Sequence, residues 1–328
     1  MKKRLVPVFL VLLIPCAKGR AAETASVPAP AEPMAASPSA AEQGLQALVA
    51  RQQELLAGAE KAGKNFDEEN FRTQMQDLAN DYDTYLKKNP DYAPAYAAYG
   101  VMLGKISMRR QSAVMLLKAD ELLARDAQKD GARTAAFLRT WALVKNQLGN
   151  YVAEEGKPLQ AVTYYLDAID LTPNEPLYHY QLGTLLTEAR DDFLKSDQWT
   201  RPVLDKAMHA SFQRAAELAP GRIEFGYRYA ESFADLEVPD WDGALKAWAA
   251  LEEKATSDFD RQTMRLQAAN ILIKQQKFDL ARVLLDTVTV EPLQKERQKL
   301  VAALSASAAA PALAPAGPTA EVPAAPAK

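Results

Sequence analysis

The sequence predicts an all-α chain built as an α-solenoid, with about five stacked helical hairpins, an N-terminal helix pair before them and a capping helix after them. Three observations carry this expectation. Two Leu-Gly pairs, Leu148-Gly149 and Leu182-Gly183, stand 34 residues apart, and residues 142–175 read as one complete repeat unit. Apolar residues recur at helical spacing, with no stretch that alternates as a strand would. Proline and glycine fall between the apolar-periodic segments. A fixed period of this length marks a stacked array, because one helical hairpin cannot bury its apolar face alone and gains stability from its neighbours.

Taken in order, residues 1–21 carry the pattern of an export signal. Lys2, Lys3 and Arg4 precede the apolar stretch LVPVFLVLLIP, which is shorter than the ~20 apolar residues of a membrane span. Gly19 and Ala21 offer a small-x-small cleavage site. The expected location is therefore outside the cytoplasm, periplasmic or extracellular, in a bacterial-type cell envelope. Cys16 is the only cysteine and leaves with the signal. Membrane association is expected only if Cys16 is lipidated, and the rigid Pro15 before it suits that modification poorly. Residues 22–40 and 305–328 are Ala/Pro-rich and are expected to be a disordered linker and tail, extended by their prolines.

The ordered domain is expected from about 40 to 304. Ser39 and Glu42 form a capping-box pattern at the first helix, and Asn65 and Glu68 repeat it at the second, with Asp67 and Glu69 adding favourable charge. Residues 41–91 make the N-terminal helix pair, whose second half, LANDYDTYLKKNP, ends at Pro90. Residues 92–304 hold the hairpins.

Each marked residue of the unit 142–175 has a physical task. Gly149 and Ala161 stand where the two helices approach closely, and only a small residue lets the backbones meet. Gly156 lies in the turn, where a left-handed backbone is cheap only for glycine. Tyr165 and Ala168, three apart, share a face of the second helix. Pro173 ends that helix. Together with Leu148, this spacing resembles the tetratricopeptide repeat (TPR), a helix–turn–helix unit of ~34 residues.

Other copies follow the same spacing. Leu182-Gly183 is followed by Phe212, Ala215 and Pro220, with about 13 extra residues between the helices. That insertion, near 190–204, holds Arg190, Asp191, Asp192, Trp199 and Arg201, and is expected as two longer helices with Trp199 packed in their junction; the alternative is a protruding edge that docks a partner. Downstream, Tyr229-Ala230 takes the Leu-Gly place before Phe233, Ala244, Trp248 and Leu251, with Trp241 in a longer turn. Ala269, Leu272, Phe278, Ala281 and Leu285 mark a further copy, and Tyr99-Gly100, Leu103, Ser112, Leu116 and Ala119 mark one upstream. The last helix is polar through Gln294, Lys295, Arg297 and Gln298 and reads as a cap, which argues against end-to-end stacking and leaves the oligomeric state open.

The chemistry of known catalytic motifs is missing. His179 and His209 are the only histidines, fall on different predicted helices and belong to no metal-binding spacing. His179 takes the place of a packing aromatic. No Gly-rich phosphate loop and no GxSxG turn is present. Asp191-Asp192 and Asp81 with Asp83 read as solvated faces. The expectation is a non-enzyme with no cofactor and no bound metal. The net charge of −3 with dispersed Lys and Arg argues against nucleic acid as a partner.

The resemblance implies a right-handed superhelix whose first helices line a concave face that binds a protein or peptide partner. Carried onto this sequence, the residues pointing into that face are Ala97 and Val101, Asn146 and Asn150, Tyr180 and Thr184, Tyr227 and Glu231, then Leu266 and Asn270. Asn side chains can pair with a peptide backbone, and tyrosines offer rigid apolar area with a polar tip. Peptide-clamping TPR domains of cytosolic chaperone adaptors hold a terminal carboxylate with Lys and Arg at matching places. Here those places carry no basic residue, although Asn150 matches their asparagine, so a neutral, extended or helical ligand is expected. The implied function is a non-catalytic interaction scaffold or adaptor of the envelope; the alternative is a peptide- or glycan-binding module serving an envelope enzyme or a secretion assembly. The partner's identity is not readable.

Overall fold

A computed structural model of the chain describes residues 38–309, and every element among them is helix or turn. The expected export signal with Cys16, nearly all of the linker and the tail from 310 onward lie outside the described residues. The N-terminal pair is α1 (Ala40–Ala62) and α2 (Glu68–Lys88), joined through a 3-10 turn at Gly63–Asn65. Hairpins follow as α3 (Ala93–Lys105) with α4 (Arg109–Asp126) and α5 (Ala135–Glu154) with α6 (Pro158–Leu171). In the next, a short α8 (Arg190–Lys195) separates α7 (Pro176–Glu188) from α9 (Arg201–Leu218). Then come α10 (Ile223–Ser232) with α11 (Trp241–Lys254) and α12 (Asp258–Lys274) with α13 (Phe278–Asp286). A 3-10 turn at Glu291–Leu293 leads into α14 (Gln294–Ala309), which packs on α12 and α13. The second helix of each hairpin packs against the first helix of the next, so the hairpins form one consecutive stack.

One contact sets the geometry of every hairpin. A Cβ on Gly149 would lie 2.6 Å from the Tyr165 ring, one on Gly100 2.8 Å from Leu116, and one on Gly183 2.8 Å from Phe212. The first two pairs are 16 residues apart and the third 29, so the 13 inserted residues leave the contact itself unchanged. Ala230 and Ala269, both buried, take the same place in the last two hairpins, in the same clusters as Trp248 and Leu285. The turns repeat as well. Ser107, Gly156 and Gln276 all have positive φ, at 66°, 74° and 59°. In each, the next residue's N–H bonds back five residues, from Met108 to Leu103, Lys157 to Val152 and Lys277 to Leu272, at 2.8–3.0 Å. This is the helix-ending motif that favours glycine, met here twice by other residues.

Four expectations need correction. The cap of α2 is Asp67, whose Oδ1 accepts from the Asn70 N–H at 3.0 Å, while Asn65 belongs to the preceding 3-10 turn. The last helix runs to Ala309, beyond the expected end at 304. The insertion is divided between a separate helix, α8, and the first turn of α9, so the second helix is lengthened as expected while the first is not, because Ala189 leaves helical geometry before Arg190 begins a new helical turn. Trp199 does pack in the junction, edge-on to the buried Phe193 at 5.3 Å. His179 is not a packed aromatic substitute: it is half-exposed, with Nε2 2.8 Å from the Pro173 carbonyl.

A charged latch fastens the insertion to the next hairpin. Arg201 Nε reaches both oxygens of the buried Asp205 at 2.7 and 2.8 Å. Asp205 Oδ2 also accepts the Glu237 N–H at 2.6 Å. The Asp235 carbonyl accepts from Arg201 Nη2 at 2.8 Å and from Arg190 Nη2 at 3.1 Å. Two arginines thereby hold the α10–α11 loop.

The first-helix face as a candidate interaction surface

The candidate residues fall on α5, α7, α10 and α12, the first helices of four consecutive hairpins. The structure places most of them in the seams between neighbouring first helices, not free on a surface. Tyr180 of α7 lies against Phe225 of α10, ring centroids 4.9 Å apart, and against Phe212 of α9 at 5.9 Å. Tyr227 of α10 meets Trp248 edge-on at 4.7 Å, and its hydroxyl accepts from Gln267 Nε2 of α12 at 2.7 Å. Asn150 Oδ1 accepts both from the Tyr165 hydroxyl at 2.7 Å and from Gln181 Nε2 of α7 at 3.1 Å. Burial pushes the Tyr180 and Tyr227 hydroxyls above the ordinary tyrosine range. These side chains lock one hairpin to the next while keeping part of their surface exposed.

Asn146 is the clear correction. It is only 1% exposed, so it lines no open groove. Ala97 and Leu266, in the same place on α3 and α12, are likewise buried. The same place on α7 and α10 holds Tyr180 and Tyr227, whose larger side chains stay half-buried. One turn further along, Val101, Asn150, Thr184, Glu231 and Asn270 are all half-buried and form the accessible row. Thr184 Oγ1 donates to the Tyr180 carbonyl at 2.9 Å.

Charged side chains stand beside the expected positions of the face. Arg228 of α10 lies 4.7 Å over the Phe212 ring and pairs with Glu231 at 2.6 Å, with Asp235 at 3.9 Å. Glu224, one turn before Arg228, pairs with Arg222 at 2.5 Å. The surface around Tyr180 is therefore a mixed-charge patch set on aromatic rings. Sequence reasoning missed Gln181, Arg228 and Gln267 because it used only two positions per helix. The residue after each tyrosine, Gln181 and Arg228, carried the missing signal.

The two histidines stay apart in role. His209 Nδ1 lies 2.8 Å from the Ser232 Oγ, which itself donates to the Tyr229 carbonyl at 2.6 Å. That second bond uses the hydroxyl proton, so Nδ1 carries the proton of the first. Ser232 is fully buried, and the imidazole is packed between Tyr229 and Phe233. Burial holds the His209 imidazole below its ordinary value. The pair is a packing contact rather than an activated nucleophile. Among the described residues no three His, Cys, Asp or Glu side chains converge as a metal would need, and no helix is long and apolar enough to cross a membrane.

No protein-family model and no curated protein matches the chain. Solved structures do resemble it. PilF of Pseudomonas aeruginosa matches at a TM-score of 0.51 and 15% identity, over 80% of this chain and 99% of that one. YrrB, a TPR protein with an unusual peptide-binding site, matches at a TM-score of 0.49 and 17% identity, over 69% of this chain and 97% of that one. At such identity the PilF likeness speaks for architecture alone. Together with the repeated hairpin contact, it makes this chain an all-α helical-repeat protein with a TPR-like fold.

Proposed function

We propose that the protein is a non-catalytic interaction scaffold of the cell envelope, which holds a protein partner along its first-helix face. The observation that carries this reading is the accessible row Asn150, Thr184, Glu231 and Asn270, set on the rigid seams beneath it and flanked by Tyr180, Tyr227 and Arg228. Helices supply the row, and each seam is fixed by side-chain hydrogen bonds or ring packing, so the surface is preorganised and little entropy is lost on binding. Aromatic and arginine side chains that keep part of their surface are the residue types that anchor interfaces.

The test must avoid breaking the seams. Tyr180→Ala or Tyr227→Ala removes a packed ring and would loosen the stack as well as the surface. A chain carrying Thr184→Lys, Glu231→Lys and Asn270→Lys leaves the seams in place and covers the row with long charged side chains. Partners captured by wild type from an envelope extract should be lost by this chain and kept by one altered at the exposed Val114 and Leu117 of α4. Equal capture by both altered chains would end the reading. Export is tested apart, by sequencing the N-terminus of the protein from the envelope fraction. A chain starting near residue 22 is expected; an intact Met1 confined to the cytoplasm contradicts export.

A further inference from the structure

In three hairpins the turn between the helices is three residues long, at 106–108, 155–157 and 275–277. In the α10–α11 hairpin it is eight residues long, 233–240. The longer turn closes on itself, with the Asp240 N–H donating to the Phe233 carbonyl at 3.2 Å. It is also braced from outside, by Arg190 and Arg201 at the Asp235 carbonyl and by Asp205 at the Glu237 N–H. The two departures from the repeat, the insertion near 190–204 and this turn, therefore meet in one latch. Ordering a turn of this length costs backbone entropy at every residue, and connecting two helices does not require it. What the braced turn presents is Val238, at 82% the most exposed large apolar side chain among the described residues. Glu237 and Asp240 flank it on either side of the Val238-Pro239 tip, and both are exposed. Asp240 Oδ1 accepts the Gly243 N–H at 2.8 Å, but neither carboxylate enters an ion pair among the described residues. The nearby arginines do not neutralise them. Arg201 is taken up by Asp205, Arg228 by Glu231, and Arg190 by the Asp235 carbonyl.

We propose that the braced α10–α11 turn is a docking point of its own, which takes a Lys- and Arg-rich segment of a partner protein. It does not depend on the first-helix-face reading. The alkyl stems of lysine and arginine cover apolar surface while their charged heads stay polar. Laid over Val238 and Pro239, such stems bring their heads to Glu237 and Asp240. An acidic segment meets two carboxylates that have no counter-ion and is repelled. A wholly apolar segment strips water from the same carboxylates and gives nothing in return. Because the latch has already ordered the turn, little further entropy is lost when the segment docks.

The probe is a phage library of random ten-residue peptides. It is depleted on a full chain carrying Val238→Ser and Glu237→Lys, then selected on the wild-type full chain. Both altered side chains are exposed, so the depleting chain should melt as wild type does. Surviving peptides should be rich in Lys and Arg and poor in Asp and Glu. Their affinity should fall at least about tenfold for Val238→Ser or Glu237→Lys alone, and it should weaken as salt is raised. Arg190→Met leaves the tip intact and removes one brace. It should weaken binding severalfold, because the peptide must then order the turn; equal binding overturns the part given to the brace. No surviving peptide, a consensus without Lys or Arg, or affinity unmoved by both single tip changes overturns the docking point. Affinity kept by the Glu237→Lys chain and lost by the Thr184→Lys, Glu231→Lys, Asn270→Lys chain also overturns it, and assigns the peptides to the first-helix face.

Discussion

Single residues decide how closely the helices meet, and the sign of one substitution shows it. Gly149→Ala places a Cβ 2.6 Å from the Tyr165 ring, in a core that cannot yield cheaply. It should lower unfolding free energy by about 1–3 kcal/mol in a denaturant titration. Gly58→Ala, in α1 with nothing within 4 Å, should raise it by about 0.5–1 kcal/mol. His209 adds a pH dependence. Its folded pKa is depressed by burial, so the unfolded chain binds the proton first as pH falls. Stability is full above the unfolded value of about 6.5 and declines as pH drops through the folded value. Thermal melts from pH 8 to 5 should show this decline, and His209→Phe should flatten it. The close approach at Gly149 was legible in the sequence because the spacing within one hairpin fixes it, whereas the Tyr165 ring was not assigned to it. The burial of Asn146 was not legible, since the same place on α7 and α10 holds half-buried tyrosines.

At the scale of elements, the insertion is the part that sequence periodicity could not describe. Its length was plain from the displaced Phe212, but the break after Ala189 and the short α8 follow from contacts with a later loop. Asp205 is the centre of those contacts, bridging Arg201 to the Glu237 N–H while buried. Asp205→Ala leaves a cation and a backbone donor without their acceptor and should cost about 3 kcal/mol, measured by chemical unfolding. Hydrogen exchange should rise first in residues 233–240, the loop the latch holds. No change in that loop would show that α10 and α11 are positioned without the latch. The turns were half legible: Gly156 announced its left-handed conformation, whereas Ser107 and Gln276 adopt it without glycine. Gln276→Gly should therefore stabilise the chain, by roughly 1 kcal/mol.

For the whole molecule, the repeat period carried the architecture, because each hairpin repeats one small-to-large contact and one stacking rule. The function was less legible, because the seams that rigidify the stack and the row proposed to face a partner use neighbouring positions of the same helices. Tyr180 and Tyr227 look like binding residues by type and serve first as mortar between hairpins. Thr184 and Glu231 look unremarkable by type and form the accessible row. The most direct measurement puts a photo-crosslinking amino acid at Thr184 or Glu231 on the first-helix face, or at Leu117 on α4, in cells that express the protein. Crosslinks to one common partner from 184 and 231, and none from 117, are the expected result. Crosslinks from 117 alone would move the partner to the second helices and contradict the reading of the face.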